Sequence, residues 1–263
     1  MKVATWNVNS LRIRLPHLLE FLREEGCAVV GVQETKLPDD RFPADEIRAA
    51  GYEPLFSGQK TYNGVAILVK KGEAEASDPQ YGIPAYPDPQ KRLLAATITP
   101  ASGAPFRFAC AYFPNGTAPG TAKYLYKLEW IHALFSSLSD SLRKHPRLIL
   151  AGDMNIAPED SDIWDPKGWK GHILVSDAER DAFRSLLALG LRDTFRLKPG
   201  EPELWTWWDY RSSGFLKNQG ARIDHILASE PLAKDCGEVR ILTRYRALEQ
   251  PSDHAPVVLT LKD

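Results

Sequence analysis

The side chains in this chain that could do chemistry lie far apart. Asn7, Glu34, Asp153-Met154-Asn155 and Ser252-Asp253-His254 are spread over the whole sequence, yet each borders a short apolar run. Trp6 precedes Asn7. Ala28-Val29-Val30-Gly31-Val32 leads into Gln33-Glu34, Leu148-Ile149-Leu150-Ala151-Gly152 leads into Asp153, and Ala255 to Leu259 follows His254. Such runs read as buried strands. Carboxylates at strand ends can converge on one end of a sheet. That pattern predicts a divalent-metal site for phosphate-ester chemistry.

Local spacing refines the expectation. Asn7 and Asn9 are two apart, so on a strand they share a face, as do Asp153 and Asn155. A polar turn is the plain alternative for Asp153-Met154-Asn155, although Gly152 before it permits close backbone approach. Glu34 closing an apolar strand points to a use; a solvated strand end is the alternative. His254 has Asp253 beside it and Asp224 in Arg222-Ile223-Asp224 as a second partner. A carboxylate accepting the imidazole N–H fixes the tautomer and stabilises the charged ring. That is triad logic applied to water rather than serine. Neither a Gly-x-Ser-x-Gly elbow nor a His-Glu-x-x-His motif occurs. Oxygen-rich ligands favour Mg²⁺ or Mn²⁺ over Zn²⁺.

These residues need elements to hold them. Apolar runs predict strands over 2–6, 28–33, 52–56, 64–69, 93–99, 106–112, 147–152, 222–228, 238–242 and 256–261. Several follow one another directly, which favours antiparallel or mixed pairing. Helical patterns occupy 16–25, 43–50, 121–143 and 177–189, with Pro16 at a first helical position and Ser176 and Glu179 as a capping box. The mixture predicts two sheets packed face to face with helices outside. The Pro-rich stretch 78–90 reads as a surface loop, and no linker or repeat divides the chain. Residues 1–263 are therefore expected to form one domain. The N-terminus reads as a strand without the apolar core of a secretory signal. The cysteines, Cys27, Cys110 and Cys236, show no paired spacing, so core thiols in a reducing cytoplasm are expected. The formal net charge of −1 excludes a globally basic nucleic-acid coat. Any DNA contact must use local basic strips around an acidic centre.

Eight segments in order resemble one family. They are Ala4 to Ser10, Gln33-Glu34-Thr35-Lys36, Gly64 to Ile67, Tyr112 to Gly116, Gly152 to Pro158, Thr206 to Arg211, Arg222 to Leu227 and Pro251 to Val257. The chain is similar to the exonuclease III and abasic-site DNA endonuclease branch of the exonuclease/endonuclease/phosphatase superfamily. The resemblance implies an α+β sandwich of DNase I type, with four layers. It implies that Glu34 is the main metal ligand, with Asn7 and Asp253 beside it. Asp153 and Asn155 would position the attacking water or a second metal. His254, oriented by Asp224, would contact the scissile phosphate or move a proton. Tyr112 and Asn115 would bind phosphate oxygens. Asn9 stands where some relatives carry aspartate.

Substrate contacts are expected from Thr206 to Arg222, where Trp207, Trp208, Tyr210, Arg211, Phe215 and Lys217 interleave aromatic and basic groups. Gly214 and Gly220 lend it flexibility, so it could enter a DNA groove or stack on a displaced nucleotide. A solvent loop anchored by buried tryptophans is the alternative. In the family, the positions of Trp207, Ala221 and Ile223 line the pocket for a sugar lacking its base, and some relatives have a larger residue at Ala221. Lys60, with Lys36 and Arg92, forms a second basic strip. The loop 160–172, with Trp164 and Trp169, would wedge DNA or simply cover the sheet. The expected function is a monomeric, metal-dependent DNA repair nuclease. It would cleave 5′ to abasic sites, remove nucleotides 3′ to 5′ from duplex DNA at nicks and ends, and clear 3′-blocking groups. A phosphoesterase of the same fold acting on RNA, phospholipid or inositol phosphate is the alternative, as is an inactive DNA-binding protein.

Overall fold

The structure, a computed structural model, describes residues 1–197 and 205–262. Two six-stranded sheets pack face to face. The first contains β1 (Lys2–Asn7), β2 (Val29–Gln33), β3 (Tyr52–Ser57), β4 (Val65–Lys70), β11 (Cys236–Ile241) and β12 (Val257–Leu261), in the order β11-β12-β1-β2-β4-β3. The second contains β5 (Ala74–Tyr81), β6 (Leu93–Pro100), β7 (Phe106–Tyr112), β8 (Leu148–Asp153), β9 (Leu191–Asp193) and β10 (Asp224–Ser229), in the order β5-β6-β7-β8-β10-β9. Each sheet is mixed. β1 with β2, and β7 with β8, pair in parallel, and the other pairs are antiparallel.

The layering follows from side-chain parity. Along β1, Val3 joins the core between the sheets, while Ala4 and Trp6 pack against α1 (Leu11–Glu25) through Leu18, Phe21 and Leu22. Along β8, Ile149 and Ala151 face the other sheet, and Leu148 and Leu150 face outward. There they meet Trp130, Ile131 and Leu134 of α3 (Ala122–Lys144) and Phe183 and Leu186 of α4 (Asp177–Ala188). Strands covered on both sides are apolar throughout, which is why they read as continuous runs. The same parity turns Asn7 and Asp153 toward the space between the sheets. The result is a helix-sheet-sheet-helix sandwich of four layers, as expected.

Helix boundaries have local causes. Thr121 caps α3 by accepting from the Tyr124 N–H at 3.2 Å. Ser176 and Glu179 form the anticipated capping box of α4. α2 (Ala44–Ala49) lies close to its predicted span, and α5 (Glu230–Ala233) is a single turn. Pro16 does not start α1; the helix begins at Leu11 and Pro16 lies inside it, on the exposed side. The bond forgone is the one to the carbonyl of Arg12, itself exposed, so water can replace it.

Two strands differ from expectation. Residues 74–81 form β5, so the Pro-rich stretch is partly strand. β5 is an edge strand with a register shift between Ser77 and Gln80, where Pro79 needs no ladder bond. β9, Leu191-Arg192-Asp193, is three residues long, too short for a periodic signal. All three cysteines are free and buried. Among the described residues, no helix is long and apolar enough to cross a membrane.

Gly152 shows how tightly β7 and β8 meet. It lies at φ +152, and a Cβ there would come within 1.8 Å of the Ala111 carbonyl oxygen. Backbone cannot yield as a flexible side chain can. Gly152→Ala should therefore cost at least about 2 kcal/mol of stability. Denaturant titration at a wild-type midpoint would refute this.

Candidate active site

Strand polarity gathers the predicted residues. Parallel neighbours end at the same edge, so β1, β2, β7 and β8 deliver Asn7, Glu34, Tyr112 and Asp153 together. Antiparallel neighbours start at that edge. Asp224 opens β10 directly opposite Asp153, and Asp253 and His254 lie just before β12, which pairs with β1.

The turns after β1 and β8 have the same form. The Asn7 Oδ1 accepts from the Asn9 N–H, and the Asp153 Oδ1 accepts from the Asn155 N–H, each at 2.9 Å. Both asparagines lie beyond their strands at positive φ, 44° for Asn9 and 49° for Asn155. The strand-face argument for these pairs is thus replaced by an Asx turn. Glu34, at φ 53°, also occupies the left-handed region. Such backbone costs energy and is found where surrounding structure over-determines it.

Asn7 joins the two sheets. Its Nδ2 donates to Glu34 Oε1 and to Asp153 Oδ2, both at 2.8 Å. Asp153 Oδ2 also lies 3.7 Å from His254 Nε2. The other imidazole nitrogen, Nδ1, donates to Asp224 Oδ2 at 2.8 Å. His254 is held from behind as well, because its carbonyl accepts from Trp6 Nε1 at 3.1 Å and its N–H donates to Ser252 Oγ at 3.1 Å. Glu34 Oε2 receives the Lys36 ammonium at 2.7 Å. On the far side, Asn115 Nδ2 donates to Asn155 Oδ1 at 3.0 Å, and Asn155 Nδ2 donates to the Phe113 carbonyl at 3.1 Å.

This crowding of charge sets the protonation pattern. Burial opposes ionisation of Glu34, yet Lys36 and the Asn7 hydrogen bond outweigh it and hold the carboxyl low. Burial pushes Asp153 up, helped by Asp224 and opposed by His254 and Asn7, to about 7. Burial alone would make His254 neutral; the carboxylates of Asp224 and Asp153 reverse that and raise it to about 10. Tyr112 is pushed well up by burial and then by the charges of Glu34 and Asp153. The site therefore holds a charged imidazole between two carboxyl groups, with a phenol kept protonated beside them. Glu34, Asp153 and His254 each offer a ligand atom within 4.8 Å of the others, a cluster able to hold a metal ion.

A cleft of about 450 Å³ opens over this floor. Of the predicted residues, Glu34, Tyr112, Asn115, Asp153 and Asn155 line it, and so do Trp207, Arg211, Ile223, Asp253 and His254. Asn7 and Asp224 sit behind the lining, fully buried or nearly so. The Asp253 oxygens are engaged by Asn9 Nδ2 at 2.8 Å and Trp207 Nε1 at 3.0 Å. Ala221 is buried and bridges Ile163 and Trp207, so it stands behind the wall rather than in it. Lys60 is exposed on the Gln59-to-Asn63 loop and outside the cleft.

The 206–222 segment departs from a freely moving basic loop. Trp208 and Arg222 are buried. Arg222 binds Asp162 at 2.7 Å and Asp193 at 2.8 Å, so its charge is spent inside the protein. A Cβ on Gly220 would lie 2.5 Å from Trp205, and one on Gly214 would lie 2.8 Å from the Gln219 carbonyl oxygen. Both glycines serve close packing, not flexibility. Of the aromatic and basic residues singled out there, Trp207, Tyr210 and Arg211 line the cleft. The 160–172 loop supplies Trp169 to the cleft, and Ile173 and Leu174 follow it. Only the aromatic content of that loop hinted at this.

Comparison with known proteins agrees with the geometry. The chain is 38% identical to "Exodeoxyribonuclease III" of Haemophilus influenzae, covering 98% of each sequence. It superposes with a TM-score of 0.95 and 43% identity on a 3′ phosphatase from Neisseria bound to a product DNA hairpin, over 100% of both chains. An AP endonuclease from Archaeoglobus fulgidus matches with a TM-score of 0.92 and 34% identity, again over 100% of both chains. With residues 4–254 also matching the family model, the chain belongs to the Endonuclease/Exonuclease/phosphatase family.

Proposed function

We propose that this protein is a metal-dependent DNA repair nuclease acting at abasic sites, 3′ ends and 3′-blocking groups, and releasing 3′-hydroxyl ends. The observation that carries this reading is the convergence of Glu34, Asp153 and His254 under a cleft walled by Trp169, Trp207 and Arg211. The relatives named above act on DNA or are nucleases by name, and they match over the full chain. Because both sheets contribute to the floor, residues 1–263 read as one domain; a monomer working in the cytoplasm is part of the same proposal.

The donor set suits a hard divalent cation. Carboxylate oxygens predominate, and burial, then the charges of Asp224 and Glu34, push Asp153 up, a cost that a cation relieves. Glu34, held ionised, is the residue to hold Mg²⁺ or Mn²⁺, with Asn7 orienting it beside Asp153. Asp253 is a support for Asn9 and Trp207 more than a ligand, since both oxygens are engaged. When bound, the cation supplies charge neutralisation on the phosphoryl group and the leaving 3′ oxygen.

The remaining work falls to the chain itself. A ring held charged cannot accept a proton, so His254 donates from Nε2 toward a phosphoryl oxygen. Asp153 faces the same space and takes the proton of the attacking water, and solvent protonates the departing 3′ oxygen. Asp224 orients the imidazole through Nδ1. Tyr112 and the Asn115–Asn155 pair present hydrogen-bond donors to the phosphate, each worth a few kcal/mol at the transition state. Trp207, Ile223 and Trp169 provide apolar surface for a sugar without its base, and Arg211 a cation for the backbone.

A gel assay on matched abasic, nicked and 3′-phosphate duplexes, with Mg²⁺, Mn²⁺ or chelator, tests the proposal. Cleavage only with added metal supports it; turnover of a phospholipid analogue but not DNA overturns it. Glu34→Ala should lower the rate more than about 100-fold while DNA binding persists, and a wild-type rate would exclude Glu34 as a ligand. For His254, Asp224 raises the ring's affinity for its proton, so the charged form persists well above neutrality, while the stability it lends is full below about 6.5 and is lost progressively as pH climbs to about 10. Asp224→Asn should lower the His254 titration in metal-free protein by about one unit or more, read by NMR. An unmoved titration removes Asp224 from that role. DNA affinity should fall steeply as salt rises, since phosphate contacts release counterions; a flat response would deny a backbone contact surface.

A further inference from the structure

Lys127 is fully buried, a placement lysine rarely takes. It lies on the apolar stripe of α3 with Tyr124, Trp130 and Ile131, where a hydrocarbon side chain would fill the same space. Its ammonium has three donors, and three acceptors surround it. Nζ donates to the Asn155 carbonyl at 2.7 Å and to the Asn115 carbonyl at 3.2 Å, and it forms a buried ion pair with Glu179. Glu179 is in turn fixed by the Leu174 N–H at 3.1 Å, the Ser176 N–H at 3.1 Å and the Ser176 hydroxyl at 2.5 Å. None of these polar atoms belongs to the cleft floor. All of them hold the main chain immediately beneath it.

We infer that Lys127 is a positioning residue for the reaction, acting through the main-chain carbonyls of Asn115 and Asn155 to set the amide pair that faces the substrate phosphate. The inference rests on the phosphate-binding role proposed above for those asparagines. Its basis is geometric. Asn155 sits in the left-handed region, so the carbonyl that Lys127 grips fixes the direction of the next peptide and, with the Asx turn, the side chain. Asn115 belongs to a separate loop, and Gly116, at φ +88, brings that loop down until a Cβ would lie 3.0 Å from Lys127 Cδ. One cation thus clamps two loops whose side chains hydrogen-bond to each other at 3.0 Å. Through Glu179 the same clamp reaches Leu174 on the cleft wall. A buried ion pair is weak evidence for stability, because its desolvation offsets its attraction. Its retention here is explained by the carbonyls it orders.

The test removes both charges together, so that no lone buried ion confuses the result. Lys127→Met/Glu179→Gln should remain folded by circular dichroism. Its kcat per folded molecule should fall about 10- to 100-fold, with a smaller change in KM. In an Asn155→Ala background the same pair should cost little more, because the clamp works through that residue. In metal-free protein the Asn115 and Asn155 side-chain amide resonances should shift. A merely structural role predicts lower melting temperature with wild-type kcat per folded molecule, and that result overturns the inference. So do fully multiplicative losses or unmoved amide resonances. An impaired Asn155→Ala beside an unimpaired Lys127 variant rejects the clamp alone. A wild-type rate in Asn155→Ala rejects the reading of Asn155, and the route through it falls too.

Discussion

Everything in the site answers to one constraint: three carboxyl groups, of Glu34, Asp153 and Asp224, share a small and largely buried volume. Burying one such charge is costly, and burying several side by side is worse. The chain answers by alternation. Lys36 lies on Glu34, and the His254 ring lies between Asp153 and Asp224. Asn7 divides its amide between Glu34 and Asp153. What these partners leave uncompensated falls on Asp153, whose proton affinity is raised. A group so placed is ready to take a proton or to bind a cation, which is the property phosphodiester hydrolysis needs.

The two sheets exist to create that crowding. Each contains one parallel pair, β1–β2 or β7–β8, near its middle. Parallel neighbours release their side chains at the same edge, and face-to-face packing sets the two edges together. Inward parity then directs Asn7 and Asp153 at each other rather than into the helical layers. Antiparallel flanking strands return Asp224 and His254 to the same edge from the opposite chain direction. An all-antiparallel sandwich with short hairpins would scatter these contributions between both ends.

Much of this was legible in the residues. Asn7, Glu34, Asp153 and His254 stood out because strand interiors are apolar on both faces, and a polar terminus breaks that pattern. Asp224 could be paired with His254 from chemistry, before any coordinates. Edge elements were less visible. β5 alternates with solvent and carries Pro79, and β9 has three residues, so neither generates a periodic signal. Arg222 was misread for a different reason. Composition makes a basic residue in an aromatic loop look like a substrate contact, but only the fold shows Asp162 and Asp193 waiting for it. Lys127 carried a signal that spacing could have revealed, a cation on the apolar stripe of a long helix. Its acceptors are main-chain carbonyls, which sequence never distinguishes.

The division between strands and loops also decides what can vary. The floor of the cleft is anchored in strand termini whose positions the core fixes. The walls, Trp169, Trp207 and Arg211, come from connecting segments. Substrate preference should therefore be set by loop packing, and Ala221 shows how. The resemblance implied that it lines the sugar pocket. Instead it is buried behind Trp207, paired with it in a short antiparallel bridge that also engages Ile163. A larger residue there would not narrow the cleft by filling it. It would press on Trp207, whose indole N–H is bound to Asp253, which in turn accepts from Asn9. The width of the cleft and the polar rim of its floor are thus mechanically linked, through Trp207, Asp253 and Asn9.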